Sequence, residues 1–98
     1  MDQPEDPRPS ADLLESTHPF PGSYQIKAIG VAADDFIGRV VRAVAEEMIS
    51  ESELAHSSRH TKDGKHVSLT LDLTVQDAEQ VRRIYARIRD VEGLTLLF

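Results

Sequence analysis

The four histidines are the residues whose type first suggests chemistry, because an imidazole can bind a metal ion or transfer a proton. They stand at His18, His56, His60 and His66. His56 and His60 fall on one side of a predicted strand, about 13 Å apart at roughly 3.3 Å per residue. The predicted hairpin register sends His60 and His66 to opposite faces of the sheet. No pair has the spacing of metal ligands, so we expect solvated histidines, no metal and no cofactor.

A second set of polar side chains is predicted to share the open face of a sheet. Its members are Lys27, Arg59, His66, Ser68, Thr70 and Asp72. A polar surface of mixed charge suits a small anion or a protein partner. The alternative is a hydrated face whose charges pair with one another and contribute little.

Gly30 lies in the stretch GVAADD, which we predict to be the turn between the first strand and the first helix. A glycine before a helix can let the backbone approach an anion. Asp34 and Asp35 occupy the same helix start and would repel a phosphate, so a turn or packing role for Gly30 is the favoured interpretation.

Nucleophilic catalysis has little support in the sequence. The chain has no cysteine, and Ser57 and Ser58 are adjacent strand residues that a neighbouring histidine cannot activate. No glycine-rich phosphate loop and no carboxylate pair with a shared pocket is present. We therefore predict that the protein is not an enzyme.

These side chains are positioned by a regular alternation of predicted strands and helices. The apolar pattern has a period of two in some segments and a helical spacing in others. Strands are predicted over 23–31, 53–61, 66–73 and 94–98, and helices over 34–49 and from a capping box at Thr74 and Asp77 to about residue 90. Asp63-Gly64 predicts a hairpin that pairs Thr61 with His66 and His60 with Val67.

The first 17 residues differ from the remainder in composition. They hold three of the five prolines and many carboxylates, which predicts a flexible acidic tail over 1–17 and one domain over 18–98. Leu13 and Leu14 leave a second reading open, in which a short helical turn docks on the domain.

The order βαββαβ predicts an α+β ferredoxin-like sandwich, since each βαβ half needs a right-handed crossover. Its four-stranded antiparallel sheet has the order 4-1-3-2, with both helices on one face. Two uses of this fold are disfavoured by the residues. Acylphosphatases use an arginine and an asparagine, and the chain has no asparagine. RNA-recognition modules need aromatic residues on the central strands of the open face.

Charge narrows the class of partner. The chain has 98 residues and a net charge of -6, which argues against duplex nucleic acid or an anionic membrane as the main partner. It has no long apolar stretch and no signal sequence, so we expect a cytoplasmic location.

The two predicted helices carry clusters of opposite charge. The basic cluster lies on the second helix and consists of Arg82, Arg83, Arg87 and Arg89. The acidic cluster lies near the end of the first helix and consists of Glu46, Glu47, Glu51 and Glu53.

Several short motifs together resemble the YbeD-like family of small bacterial proteins of unknown function. They are Phe20-Pro21, Tyr24, Ile26-Lys27 and Gly30, then the run from Gly64 to Leu71, then Glu79-Gln80-Val81 and Tyr85. The resemblance spans about residues 18–98 and departs at His66, where the family usually has tyrosine. It implies a fold similar to ACT domains, which sense small molecules in amino-acid metabolism, and it supplies no catalytic residues.

The leading hypothesis is a non-enzymatic regulatory module that self-associates weakly. It binds a small-molecule effector or a protein partner through the open face or through the turn between the first strand and the first helix. An alternative is a protein-interaction adaptor that uses its charged helix faces or an edge strand. An acylphosphatase-like hydrolase is the third hypothesis.

Overall fold

The computed structural model describes residues 8–98, and they form one four-stranded sheet with three helices. In chain order the elements are α1 (Ala11–Thr17), β1 (Gly22–Val31), α2 (Phe36–Ala45), β2 (Leu54–His60), β3 (His66–Val75), α3 (Ala78–Arg89) and β4 (Leu94–Leu97). A single 3-10 turn at Glu51–Glu53 precedes β2. After α1 the order is the predicted βαββαβ.

The sheet order is β2-β3-β1-β4, and all its pairings are antiparallel. This is the predicted order 4-1-3-2 counted from the other edge, so the ferredoxin-like fold is confirmed. The two central strands, β1 and β3, pair along their whole length from Gly22 opposite Val75 to Val31 opposite His66. The edges of the sheet are β2 and β4.

The core lies between one face of the sheet and the helices α2 and α3. Alternate residues of β3 from Val67 to Val75 are buried, because successive side chains of a strand point to opposite faces. Helix α2 contributes Phe36, Val40 and Val44 to the same cluster. The helices therefore cover one face only, and the intervening residues of β1 and β3 line the other, open face.

Residues 11–17 differ from the flexible tail that the sequence predicts. They form helix α1, which Ser10 caps by accepting a hydrogen bond from the backbone N–H of Leu13 at 3.1 Å. Leu14 is buried in the main core, and the helix lies against α3. The docked helical turn, the second reading of this segment, is the arrangement seen. The part of the predicted tail over residues 1–7 lies outside the described residues.

The hairpin between β2 and β3 has the predicted register. His60 lies opposite Val67, and the N–H of Thr61 donates to the carbonyl of His66 at 2.9 Å. The N–H of Gly64 donates to the carbonyl of Thr61, so Lys62 and Asp63, rather than Asp63 and Gly64, are central in the turn. Gly64 has a φ of 72°, which a glycine adopts without steric cost.

The predicted capping box at Thr74 is wrong. Thr74 lies in β3 opposite Ser23, and the strand continues to Val75. Asp77 itself is the N-cap of α3, and its carboxylate accepts from the N–H of Gln80 at 2.8 Å. Asp77 takes this role because it is the last extended residue before the helix.

Candidate anion-binding site on the open sheet face

The site is built from two rows of residues that run across the strands. In one row Lys27 lies opposite Thr70, which in turn lies opposite Ser57. In the next row Ser68 separates Ile29 from Arg59. Directly paired residues of antiparallel strands project to the same face, so both rows face away from the helices.

These rows enclose a concave surface of about 380 Å³. Its lining consists of Lys27, Ser57, Ser58, Arg59, Ser68 and Thr70. Neighbouring strands lie about 4.8 Å apart, and Arg59 lies two residues along β2 from the row of Lys27. The backbones of Lys27 and Arg59 therefore stand about 12 Å apart, with β3 between them. The two cationic side chains thus flank a floor of hydroxyl groups.

Neither Lys27 nor Arg59 forms a salt bridge with any carboxylate among residues 8–98. Helix α3 shows the contrast. There Arg83 and Arg87 both donate to the carboxylate of Glu47. The positive charge on the open face is therefore left for solvent or for a ligand.

Four of the six open-face residues predicted from the sequence line this concavity, and two do not. Asp72 turns its carboxylate to the side-chain amide of Gln25, which donates to it at 2.9 Å. His66 begins β3 beside the turn, where its backbone N–H donates to the hydroxyl of Thr61 at 3.2 Å. The structure thus separates Asp72 and His66 from Lys27, Arg59, Ser68 and Thr70.

Gly30 is placed inside β1 rather than in the following turn, which corrects the sequence-based placement. It lies opposite Val67 on the core side, and a Cβ built on it would collide with the ring of Phe36. Gly30 therefore makes room for an aromatic ring in the core.

Ser57 and Ser58 line the concavity, whereas from the sequence they are considered only as possible nucleophiles. The signal for Ser57 was present in the predicted hairpin. Ser57 lies two residues before Arg59 on β2, so both side chains project to the same face of the sheet. The register that places Arg59 on the open face therefore also places Ser57 there.

This donor set is chemically suited to an anion. A guanidinium, an ammonium and several hydroxyls donate hydrogen bonds, and a carboxylate or a phosphate accepts them. Within residues 8–98, no three histidine, aspartate or glutamate side chains come together as a metal site would require. None of the helices in this part of the chain has the length and apolar character to cross a membrane.

The part of the open face next to β4 is apolar. Leu96 lies opposite Ile29, and Phe98 exchanges backbone hydrogen bonds with Lys27 at 2.8 and 3.1 Å. The side chains of Leu96 and Phe98 are 51% and 63% exposed. The cationic concavity therefore borders an exposed apolar strip on the same face.

Comparison with known proteins identifies the family. A family model described as a protein of unknown function, DUF493, matches residues 15–97. The chain belongs to the DUF493 family. The match confirms the YbeD-like resemblance, and it begins within α1, so the family region includes part of the docked helix.

Relatives of this DUF493 chain occur in several bacteria. A UPF0250 protein of Hahella chejuensis is 37% identical over 73 residues, which cover 71% of this chain and 77% of the relative. A UPF0250 protein of Shewanella piezotolerans is 31% identical over 75 residues, which cover 76% and 83% of the two chains. Neither name carries an enzymatic activity.

Solved structures support the fold. The solution structure of HP0495 from Helicobacter pylori superposes with a TM-score of 0.60 at 14% identity and covers 98% of both chains. A second solution structure of HP0495, described as a hypothetical protein, gives a TM-score of 0.56 over 81% of this chain and 87% of that one. At this identity the likeness shows the shared fold.

Proposed function

We propose that this DUF493 protein is a non-enzymatic binding module whose open sheet face holds a small anion. The observation that carries the proposal is the pair of cations, Lys27 and Arg59, that flank the hydroxyls of Ser57, Ser68 and Thr70 without carboxylate partners among residues 8–98. Charge-assisted hydrogen bonds are stronger than neutral ones, so these two side chains supply most of the affinity.

The ligand class follows from the donor geometry. Three hydroxyls between two cations suit a group with several acceptor oxygens, which a carboxylate or a phosphate provides. The concavity is open to solvent along the sheet, so a single copy of the chain binds such an anion weakly. With weak binding, the fraction of chains that hold the anion follows the anion concentration. A regulatory module of the predicted ACT-like kind would require this property. A cytoplasmic location stays a prediction of the sequence.

A nuclear magnetic resonance titration with inorganic phosphate tests the proposal. Amide shifts should concentrate on β2, β3 and the middle of β1, with sodium chloride at matched ionic strength as the reference for screening. The variants Lys27→Gln and Arg59→Gln should each weaken phosphate binding by about tenfold, which corresponds to the loss of one charged hydrogen bond.

Lys65→Gln is the matched control, because Lys65 is exposed in the hairpin turn and does not line the concavity. Binding by this variant should equal that of the parent chain. Equal weakening by all three variants would indicate a nonspecific charge effect, and an absence of shifts with phosphate and with acetate would refute the anion site.

The alternative function, a protein-interaction adaptor, could use the charged helix faces or an edge strand. The structure gives less support to the helix faces than to the edge of the sheet. Arg83 and Arg87 on α3 are engaged by Glu46 and Glu47 within the same chain, so these charges are already paired. The edge strand β2 has six exposed residues out of seven. An interaction role at that edge is therefore the alternative that the observations favour.

A further inference from the structure

The free edge of β2 presents unused main-chain hydrogen-bonding groups. The N–H of Thr61 points to β3, where it donates to His66, and antiparallel pairing alternates along a strand. Arg59, Ser57 and Ala55 therefore also bond toward β3. The C=O of Leu54 and both main-chain groups of His56, Ser58 and His60 point away from the sheet, where no strand among residues 8–98 pairs with them. The N–H of Leu54 is already used, because it donates to the carbonyl of Glu51.

The two ends of this edge carry opposite charge. Glu51 and Glu53 precede the strand, whereas Arg59 lies near its end and Lys62 and Lys65 follow in the turn. The one carboxylate of that turn, Asp63, accepts from the hydroxyl of Thr61 and the N–H of Lys65. The hydrogen bond from Thr61 is the main cause that lowers the pKa of Asp63, and the bond from Lys65 adds to it. Asp63 therefore stays ionised within an otherwise basic segment.

An edge with an acidic end and a basic end is complementary to itself under a two-fold rotation. If two copies of β2 pair antiparallel about Ser57, Leu54 lies opposite His60 of the second copy and His56 lies opposite Ser58. The acidic segment 51–53 of each copy then lies beside the basic turn of the other. A parallel arrangement would bring like charges together, which destabilises strand pairs.

We propose that two copies of this chain associate through antiparallel pairing of their β2 edges into one eight-stranded sheet. The outward groups of the two copies provide about six main-chain hydrogen bonds. The opposite edge is a poorer choice. Strand β4 has only four residues, and its pairing with β1 shifts register between Ile29 and Gly30.

An apolar groove beside β2 gives the second copy further surface to cover. It measures about 420 Å³ and lies between the outer side of α2 and the strand. Val41, Ala45 and Ile49 line it from the helix side, and Ile49 is 73% exposed. Because α2 accompanies β2 in each copy, edge pairing brings the two helices toward each other across the two-fold axis.

Sedimentation velocity of the 98-residue chain between about 10 µM and about 1 mM tests the association. We expect a concentration-dependent dimer that His56→Pro abolishes, because proline removes an outward N–H without touching a bond to β3. His56→Thr, the matched control, should dimerise like the parent. Circular dichroism of dilute samples checks that both variants fold.

Charge reversal tests the antiparallel alignment without altering the backbone. Glu51→Lys and Lys62→Glu should each weaken dimerisation by about tenfold, because each sets like charges against one another at both ends. The double variant should regain the parental association, and a mixture of the two single variants should form a heterodimer.

None of the three substituted residues, His56, Glu51 and Lys62, lines the cationic concavity. The results that overturn the proposed dimer are therefore distinct from a failure of the anion site. A chain that stays monomeric at about 1 mM would leave the edge to some other protein and refute self-pairing. A dimer that survives His56→Pro would refute this edge. Equal association by all the charge variants would refute the antiparallel alignment.

Discussion

The guanidinium of Arg87 on α3 donates to the carboxylate of Glu47, in the segment that follows α2. Arg83, one helical turn earlier, donates to the other oxygen of the same carboxylate at 3.0 Å. Glu47 is only 15% exposed, so this group of three charges ties the two helices together at their margin. Arg83 and Arg87 thus stabilise the contact between the two helices.

This arrangement predicts a specific pH dependence of stability. The hydrogen bond from Arg87 is the main cause that lowers the pKa of Glu47 below its usual 4.5, against an opposing effect of burial. Because the folded pKa is depressed, the stabilisation is complete above the unfolded pKa and disappears as the pH falls through the folded pKa. Glu47→Gln should reduce the free energy of unfolding by about 1 kcal/mol at neutral pH.

Urea unfolding of the parent chain and of Glu47→Gln, followed between about pH 7 and pH 3, measures this difference. The gap between the two proteins should narrow toward the acidic end, because protonation of the parent carboxyl removes the charge that Arg87 and Arg83 bind. A gap that is constant across the whole range would show that Glu47 acts through packing and not through its charge.

The docking of α1 gives a second prediction. Leu14 is 2% exposed in the core, whereas its neighbour Leu13 is 56% exposed. Leu14→Ala should cost about 2–3 kcal/mol of stability, because it deletes buried methyl groups and leaves a cavity. Leu13→Ala is the matched control and should change stability by less than about 0.5 kcal/mol.

Chemical denaturation of both leucine variants, with hydrogen exchange of the α1 amides, distinguishes a docked helix from a flexible tail. Equal and small effects of the two substitutions, with unprotected amides, would support the tail that the sequence predicts. A large effect of Leu14 alone would establish α1 as part of the folded unit.

The contrast between α1 and β3 shows what the sequence can predict. Five buried residues alternate along β3, so the strand, its register and its open face follow from local pattern. Helix α1 has seven residues and one buried side chain, Leu14, and short helices of this kind depend on tertiary contacts. The main-chain carbonyl of Pro9 also accepts from Arg82, a contact 73 residues apart that no local pattern contains.

In the candidate site, too, the sequence predicts one property and not another. The alternation along the strands predicts which face a side chain lies on, but it does not predict which neighbour the side chain contacts. Parity along the strands predicts that Lys27, Arg59, Ser68 and Thr70 share a face. It predicts the same for Asp72, whose carboxylate nevertheless turns to Gln25. Which neighbour a side chain selects depends on its rotamer and on competing donors, and neither is encoded in the alternation of polar and apolar residues.

The contact between Gly30 and Phe36 gives a third prediction. A methyl group at residue 30 would overlap the ring of Phe36, which is buried. Gly30→Ala should therefore destabilise the fold by about 2 kcal/mol through overpacking. The double variant Gly30→Ala, Phe36→Leu should recover part of this loss relative to the sum of the two single changes.

A double-mutant cycle by thermal unfolding measures the coupling between these two positions. Strictly additive effects would contradict direct contact as the reason for glycine at position 30. Gly64→Ala is a useful reference, because nothing lies within 4 Å of a Cβ at that position, and its cost arises from the positive φ alone.

The last prediction concerns the turn between β1 and α2, where two consecutive aspartates adopt left-handed backbone conformations. Asp34 has a φ of 54° and Asp35 a φ of 55°. The side chain of Asp35 caps α2 by accepting from the N–H of Gly38 at 3.2 Å. This hydrogen bond offsets the steric cost of the positive φ at Asp35. The contact that Asp34 makes with Arg39 uses its backbone carbonyl, which every residue type retains.

Asp34→Gly should consequently stabilise the protein by about 0.5–1 kcal/mol, because glycine adopts a positive φ without a steric penalty. Asp34→Ala, the matched control, also removes the carboxylate but keeps a Cβ, so it should leave stability unchanged or lower it. Urea unfolding at neutral pH measures both. If the two variants are stabilised equally, loss of the negative charge is responsible, and backbone strain at residue 34 makes no measurable contribution.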